Sequence, residues 1–297
     1  MSIQASLIKA VTRRTIKRSG LNQDQLVRHL RKVFNNSPSL TLLPLGVKLS
    51  QVSQPGFEGD RISVADPQMT VLYIHGGAYI GGVTKTYYNL AGRLAKQLKG
   101  EVYLATYPFA PEHPFPAAAN RIFEAYEYLL KLGKRPEDIV IAGDSAGGGL
   151  TLATLLQIRD KGLPQPRCAV TFSPGSNCFP DDRILDALDP SDAMLSADII
   201  RTVIDIYVPD AEQRTHPYAS PCLGDYTGIC PLMITVSTDE VLYSDAKRVR
   251  KAAEQSGVEV EWLERGGLFH VWPIMVPFLP EARQDLKKVT AFIRRHG

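Results

Sequence analysis

The sequence predicts an α/β fold, a single domain over residues 1–297 built on a mostly parallel sheet with helices on both faces. Three observations predict it. Short apolar runs rich in β-branched residues recur at 71–74, 102–105, 139–142, 169–172 and 232–236, the pattern of strands covered on both faces. Helical stretches separate them at 87–98, 116–132, 146–159 and 245–255, each long enough for a right-handed crossover. A chain of 297 residues that is 44% hydrophobic also has enough apolar material for one large core.

In chain order, Ile3, Leu7, Ala10 and Val11 recur at helical spacing and stop near Gly20. A second helical run after Asn22 places Leu26, Leu30, Val33 and Phe34 on one face. The period then changes toward two, and residues 47–52 and 60–65 read as half-buried strands around Pro55, Gly56 and Gly59. The alternating strands and helices follow. Residues 258–263 form a last strand, for eight in all, and 282–295 a closing helix. One interval breaks the rhythm: between Ser173 and Pro231 only 197–207 is a convincing helix among many Pro, Asp and Ser, so this excursion reads as a lid or insertion.

The net charge of +3 hides an asymmetry. Residues 1–33 carry eight Lys or Arg against Asp24 alone, which leaves the remainder acidic. Such a start is compatible with a lipid surface, a transit peptide or a solvated helix face, and the solvated face is the expectation on composition. No apolar run is long enough to span a bilayer, and none has the layout of a secretory signal. Cys168, Cys178, Cys222 and Cys230 are too few for a disulfide framework and match no zinc spacing, so free thiols in a reducing cytoplasm are expected.

The chemistry concentrates at Gly143-Asp144-Ser145-Ala146-Gly147, where an apolar strand runs through Gly-x-Ser-x-Gly into a helix. Small residues around Ser145 permit a turn tight enough to lift its hydroxyl off the backbone. The following helix directs amide hydrogens and its positive dipole end at the same point. A second segment, His75-Gly76-Gly77-Ala78-Tyr79, ends another buried strand. Acyl transfer builds charge on a carbonyl oxygen, and unobstructed backbone amides meet it. The amides of Gly77, Ala78 and Ala146 are the expected oxyanion hole, with His75 and Gly76 in the loop that shapes it. As a phosphate cradle this segment fails, because Lys85 does not directly follow a glycine.

A serine hydroxyl needs a base, and an elbow of this kind is followed in the chain by an acid and then a histidine. His216 lies in the insertion and His296 beside the terminus, whereas His270 falls in a loop just after the 258–263 strand and is the expected base. The acid should end the preceding strand. Asp239 is the expected residue, with Glu240 and Asp245 as rivals, and its role is to orient the imidazole and stabilise its cation.

Together with Tyr107 to Ala117, Ser173-Pro174, Asp192-Ala-Met-Leu195, Ala219-Ser-Pro221, Asp239-Glu-Val-Leu242 and His270-Val-Trp272, these segments resemble the hormone-sensitive lipase-like branch of the α/β-hydrolases, which includes the bacterial family IV esterases. The similarity covers nearly the whole chain. It implies an eight-stranded α/β-hydrolase sheet with a helical cap formed by about 1–45 and about 174–218. It implies a carboxylesterase acting on short- to medium-chain acyl esters through an acyl-serine, with no metal or organic cofactor. The expected partner is a small-molecule ester. No nucleic acid and no stable membrane insertion are expected, and a homodimer is compatible with the sequence.

Three departures from the family pattern stand out. Ala78 replaces a frequent third glycine, Gly175 and Asn177 stand where Trp and Asp are common, and Val271 follows the histidine where many members have Gly. The last feature occurs in a subgroup with some lactone hydrolases. The same residues would serve an amidase, an arylformamidase or a lactone hydrolase, and the fold also hosts receptors that have lost catalysis.

Overall fold

The computed structural model describes residues 1–36 and 40–296. Eight strands form one sheet: β1 (Lys48–Gln54), β2 (Phe57–Ser63), β3 (Thr70–Ile74), β4 (Glu101–Ala105), β5 (Ile139–Asp144), β6 (Cys168–Phe172), β7 (Leu232–Ser237) and β8 (Val260–Arg265). Their order is β1-β2-β4-β3-β5-β6-β7-β8. β2 runs antiparallel to both neighbours, and the pairs from β4 across to β8 are parallel. The predicted strands are all present, with shifted ends. β2 begins three residues before its expected start, because Pro55 and Gly56 alone make the turn of the first hairpin, with Gly56 at φ +89°.

Side chains alternate across the sheet and sort the core into two layers. Leu72, Ile74, Ile141, Ala169 and Ile234 face α4 (Ala117–Lys131), α5 (Ala146–Asp160) and α8 (Tyr243–Gln255). Val71, Tyr73, Val140, Val170 and Met233 face α3 (Lys85–Leu98) and α9 (Pro280–Arg295). Every residue of α5 from Ala146 to Ile158 is buried, which matches its lack of a polar face. Its approach to β3 depends on Gly147, where a Cβ would stand 2.1 Å from the carbonyl oxygen of Ile74.

The remaining helices pack onto these layers through residues such as Leu26, Ile199 and Ala5. They are α1 (Ile3–Thr15), α2 (Gln23–Asn35), α6 (Asp182–Leu188) and α7 (Ala197–Tyr207). The seven-residue α6 escapes a sequence reading because it is too short to show a period. Polar contacts join these elements: Lys17 pairs with Asp189 at 3.0 Å, the Ser196 hydroxyl donates to the Arg18 carbonyl, and the Gly20 amide donates to Asp198. Arg31 of α2 forms a two-pronged pair with Glu112 and also donates to the carbonyls of Ile80 and Ala110. α1 is turned the other way from a simple amphipathic helix. Ala5, Ile8, Lys9 and Thr12 face inward, while Ile3, Leu7, Ala10 and Val11 are exposed. Among the described residues, no helix is long and apolar enough to cross a membrane.

Gly147→Ala tests the packing of α5 on the sheet. The added methyl has only backbone to displace, so the expected loss is about 1–3 kcal/mol, measured by urea unfolding followed by circular dichroism.

Candidate functional site

The turn from β5 into α5 holds Ser145 at φ 53° and ψ −121°, outside the regions that a non-glycine residue prefers. Three backbone bonds hold it there: its amide donates to Phe172, and its carbonyl accepts from the amides of Gly149 and Gly175. A Cβ on Gly143 would lie 2.3 Å from the Gly147 carbonyl oxygen, so the small flanking residues are a steric requirement of the turn. The Ser145 hydroxyl projects from this strained point and remains partly exposed.

His270 reaches it from the loop after β8. Its Nε2 lies 2.8 Å from Ser145 Oγ and its Nδ1 lies 2.9 Å from Glu240 Oε2. A carboxylate accepts only, so Nδ1 carries the proton and Nε2 is left as the acceptor for the serine hydroxyl. Burial lowers the imidazole's affinity for a proton. The hydrogen bond and charge of Glu240, reinforced by Asp192 and Asp144, outweigh that and hold the His270 pKa above its ordinary value of 6.5. Glu240 is fully enclosed, and its Oε1 accepts the Ser237 amide at 3.2 Å.

The carboxylate on the imidazole is thus Glu240 and not Asp239, the residue expected there. Asp239 points away from the imidazole: its Oδ2 pairs with Lys9 Nζ at 3.0 Å, and its Oδ1 accepts the Gly267 amide at 3.1 Å. β7 ends at Ser237, and at the turn beyond it the two consecutive acids take different partners. The inward one is Glu240. Asp245, the other rival, is buried on α8 and accepts from Asn177 at 3.0 Å. Two adjacent acids at a strand end were visible in the sequence, but the pairing of one with a lysine 230 positions away was not.

Two further groups steady the loops. Asp192 accepts the amides of Met194 and Leu195 on one oxygen and the Val241 amide on the other, tying the 189–195 segment to the residue after Glu240. Asp285 on α9 accepts from Trp272 Nε1 at 3.0 Å and pairs with Arg265 at 2.6 Å, bracketing the loop that carries His270. Within that loop Val271 adopts φ 55° and ψ 32°. A glycine would take this left-handed conformation freely, whereas a β-branched residue does so at a cost of about 1–3 kcal/mol. Its amide donates to Ser173 Oγ at 3.2 Å.

The loop after β3 lies against the elbow, since a Cβ on Gly76 would come within 3.1 Å of Ser145 Cβ. The Gly76 amide is occupied by Tyr87 Oη at 2.9 Å and Asp144 Oδ1 at 3.1 Å, in keeping with a shaping role. Asp144 also accepts from the Tyr73 and Tyr87 hydroxyls. Burial pushes its carboxyl up to about 6 against these hydrogen bonds. The buried His75 donates from Nδ1 to the Gly76 carbonyl, and its ring stacks on Tyr107. Burial brings its pKa down to about 4, so it is neutral at pH 7. Gly77 and Ala78 follow at φ 128° and 57°. Among the described residues, no hydrogen bond engages the amides of Gly77, Ala78 or Ala146.

Comparisons with known proteins agree with this architecture. The family described as having the α/β hydrolase fold matches residues 71–274. An acetyl-hydrolase of Streptomyces hygroscopicus is 37% identical over 76% of this chain and 75% of its own length. An esterase of Acinetobacter venetianus is 32% identical over 91% of this chain and 86% of its own. The solved structure of an esterase from the bacterial hormone-sensitive lipase family superposes with a TM-score of 0.89 at 26% identity, covering 100% of this chain and 99% of that one. A fold match over most of the chain, together with these relatives, means that the chain belongs to the α/β-hydrolase fold family, in its hormone-sensitive lipase-like branch.

Proposed function

We propose that this carboxylic ester hydrolase works through an acyl-serine on Ser145, with His270 as general base and Glu240 as the group that orients it. The observation that carries the reading is the unbroken line from Ser145 Oγ to His270 Nε2 and from Nδ1 to the buried Glu240 carboxylate. His270 takes the hydroxyl proton as Ser145 attacks the ester carbonyl carbon. The resulting oxyanion is met by the amides of Gly77, Ala78 and Ala146, which have no competing acceptor among the described residues. The imidazolium, stabilised by Glu240, gives its proton to the leaving alcohol. Water then enters, loses a proton to His270 and releases the acid, and Ser145 recovers its proton.

The proposed cap comprises α1, α2, α6 and α7, and the preferred substrates are esters of short to medium acyl chains. Contacts from Lys9 and Asp192 to the turn that carries Glu240 support a cap that helps assemble the site. Four buried free cysteines support a reducing, cytoplasmic setting.

Ser145→Ala is expected to lower turnover of p-nitrophenyl butyrate by about 10⁶-fold without loss of fold, and retained hydrolysis would refute the nucleophile. Glu240→Gln should reduce kcat by about 10³- to 10⁴-fold. Asp239→Asn should cost less than about tenfold, because its carboxylate pairs with Lys9 and the Gly267 amide and not with His270. Because catalysis needs neutral His270, the acid limb of kcat/KM should have its midpoint above pH 6.5. In Glu240→Gln the largest raising influence is gone, with Asp192 and Asp144 left to oppose burial, so that midpoint should move to lower pH.

A further inference from the structure

We infer that the outward face of α1 is a docking surface for an anionic lipid bilayer, which α1 meets edge-on without spanning it. Ile3, Leu7 and Val11 occur every fourth residue and are 86%, 65% and 50% exposed, so a continuous apolar stripe on this helix faces away from the protein. An ordinary surface helix buries such a stripe. Here the inward side is fastened by other means: Ser2 bonds Glu281 through its amide and hydroxyl, Lys9 pairs with Asp239, Arg13 donates to the Pro190 and Asp192 carbonyls, and Lys17 pairs with Asp189. The helix is therefore held firmly with its apolar side out.

Charge identifies the occupant. Arg14 continues the stripe by helical spacing, and Arg14, Arg18, Arg28 and Lys32 are all exposed. Of the cations in residues 1–33, Lys9, Lys17 and Arg31 are paired with acids, whereas these four have no acidic partner among the described residues. Two copies meeting through this stripe would bring two net-basic segments together, a like-charge arrangement that disfavours self-pairing. A surface that is apolar below and negative above satisfies both features, with the short side chains entering the headgroup boundary and the arginines resting among the phosphates. Since Lys9 also donates to the Gly267 carbonyl, α1 stands beside the loops that carry Glu240 and His270, and adsorption through it would bring the site close to the lipid phase.

The test is cosedimentation of the full chain with vesicles of phosphatidylcholine containing about one quarter phosphatidylglycerol, against pure phosphatidylcholine. The expected result is binding to the anionic vesicles only, weakened by about 0.5 M NaCl. Leu7→Ser with Val11→Ser, and separately Arg14→Glu with Arg18→Glu, should each reduce it by about tenfold or more. All variants should hydrolyse a soluble butyrate ester at the parental rate, which shows that they are folded. Equal binding to both vesicle types, or anionic binding untouched by the serine substitutions, would overturn the proposal. So would a concentration-dependent dimer in sedimentation equilibrium that the serine substitutions abolish in the absence of vesicle binding.

Discussion

The site depends on one buried contact, the hydrogen bond between the His270 imidazole and the Glu240 carboxylate at 2.9 Å. An ionised carboxylate with no exposed surface is tolerated only when its charge is met, and a buried imidazole takes up a proton readily only when a neighbour stabilises the cation. Each group answers the other's need. Glu240 selects the tautomer that leaves Nε2 free for Ser145, and it raises the imidazole's basicity against the opposing effect of burial. Much of the surrounding structure keeps these two side chains in register: Ser237 and Asp192 on the turn of Glu240, and Asp285 and Ser173 around the loop of His270.

The same region stores backbone strain. Ala78, Ser145, Ser173 and Val271 all sit at positive φ, and they converge on the Ser145 hydroxyl and the loops beside it. Such conformations persist where surrounding contacts over-determine them. The contacts here are specific: α5 rests on β3 through Gly147, Asp144 receives two tyrosine hydroxyls and the Gly76 amide, and the Ser145 carbonyl takes two amides. A rigid parallel sheet beneath them makes this possible, because β5 and β6 deliver Ser145 and Ser173 at neighbouring strand ends.

Much of this architecture was legible in the residues. Runs such as 139–142 and 232–236 identify buried strands because a strand covered on both faces has no polar side to blur the pattern. The turn at Ser145 was recognisable because it demands small neighbours, and its contact with His270 because few histidines follow it. The carboxylate that meets the imidazole was not, since a choice between consecutive Asp239 and Glu240 depends on which way a turn rotates. That rotation is coupled to Lys9, far away in the chain. The orientation of α1 was equally hidden: its apolar spacing gives a stripe but not the direction in which tertiary contacts point it. α6 is too short for periodicity to register.

Glu240 and Asp239 are adjacent in the chain and opposite in consequence, and proton NMR of the imidazole separates them most directly. A proton shared between His270 Nδ1 and a buried carboxylate resonates far downfield of the amide region. In the wild type it should be present, it should survive Asp239→Asn, and it should vanish in Glu240→Gln with the fold intact. Loss of that resonance in Asp239→Asn, together with its persistence in Glu240→Gln, would contradict the account.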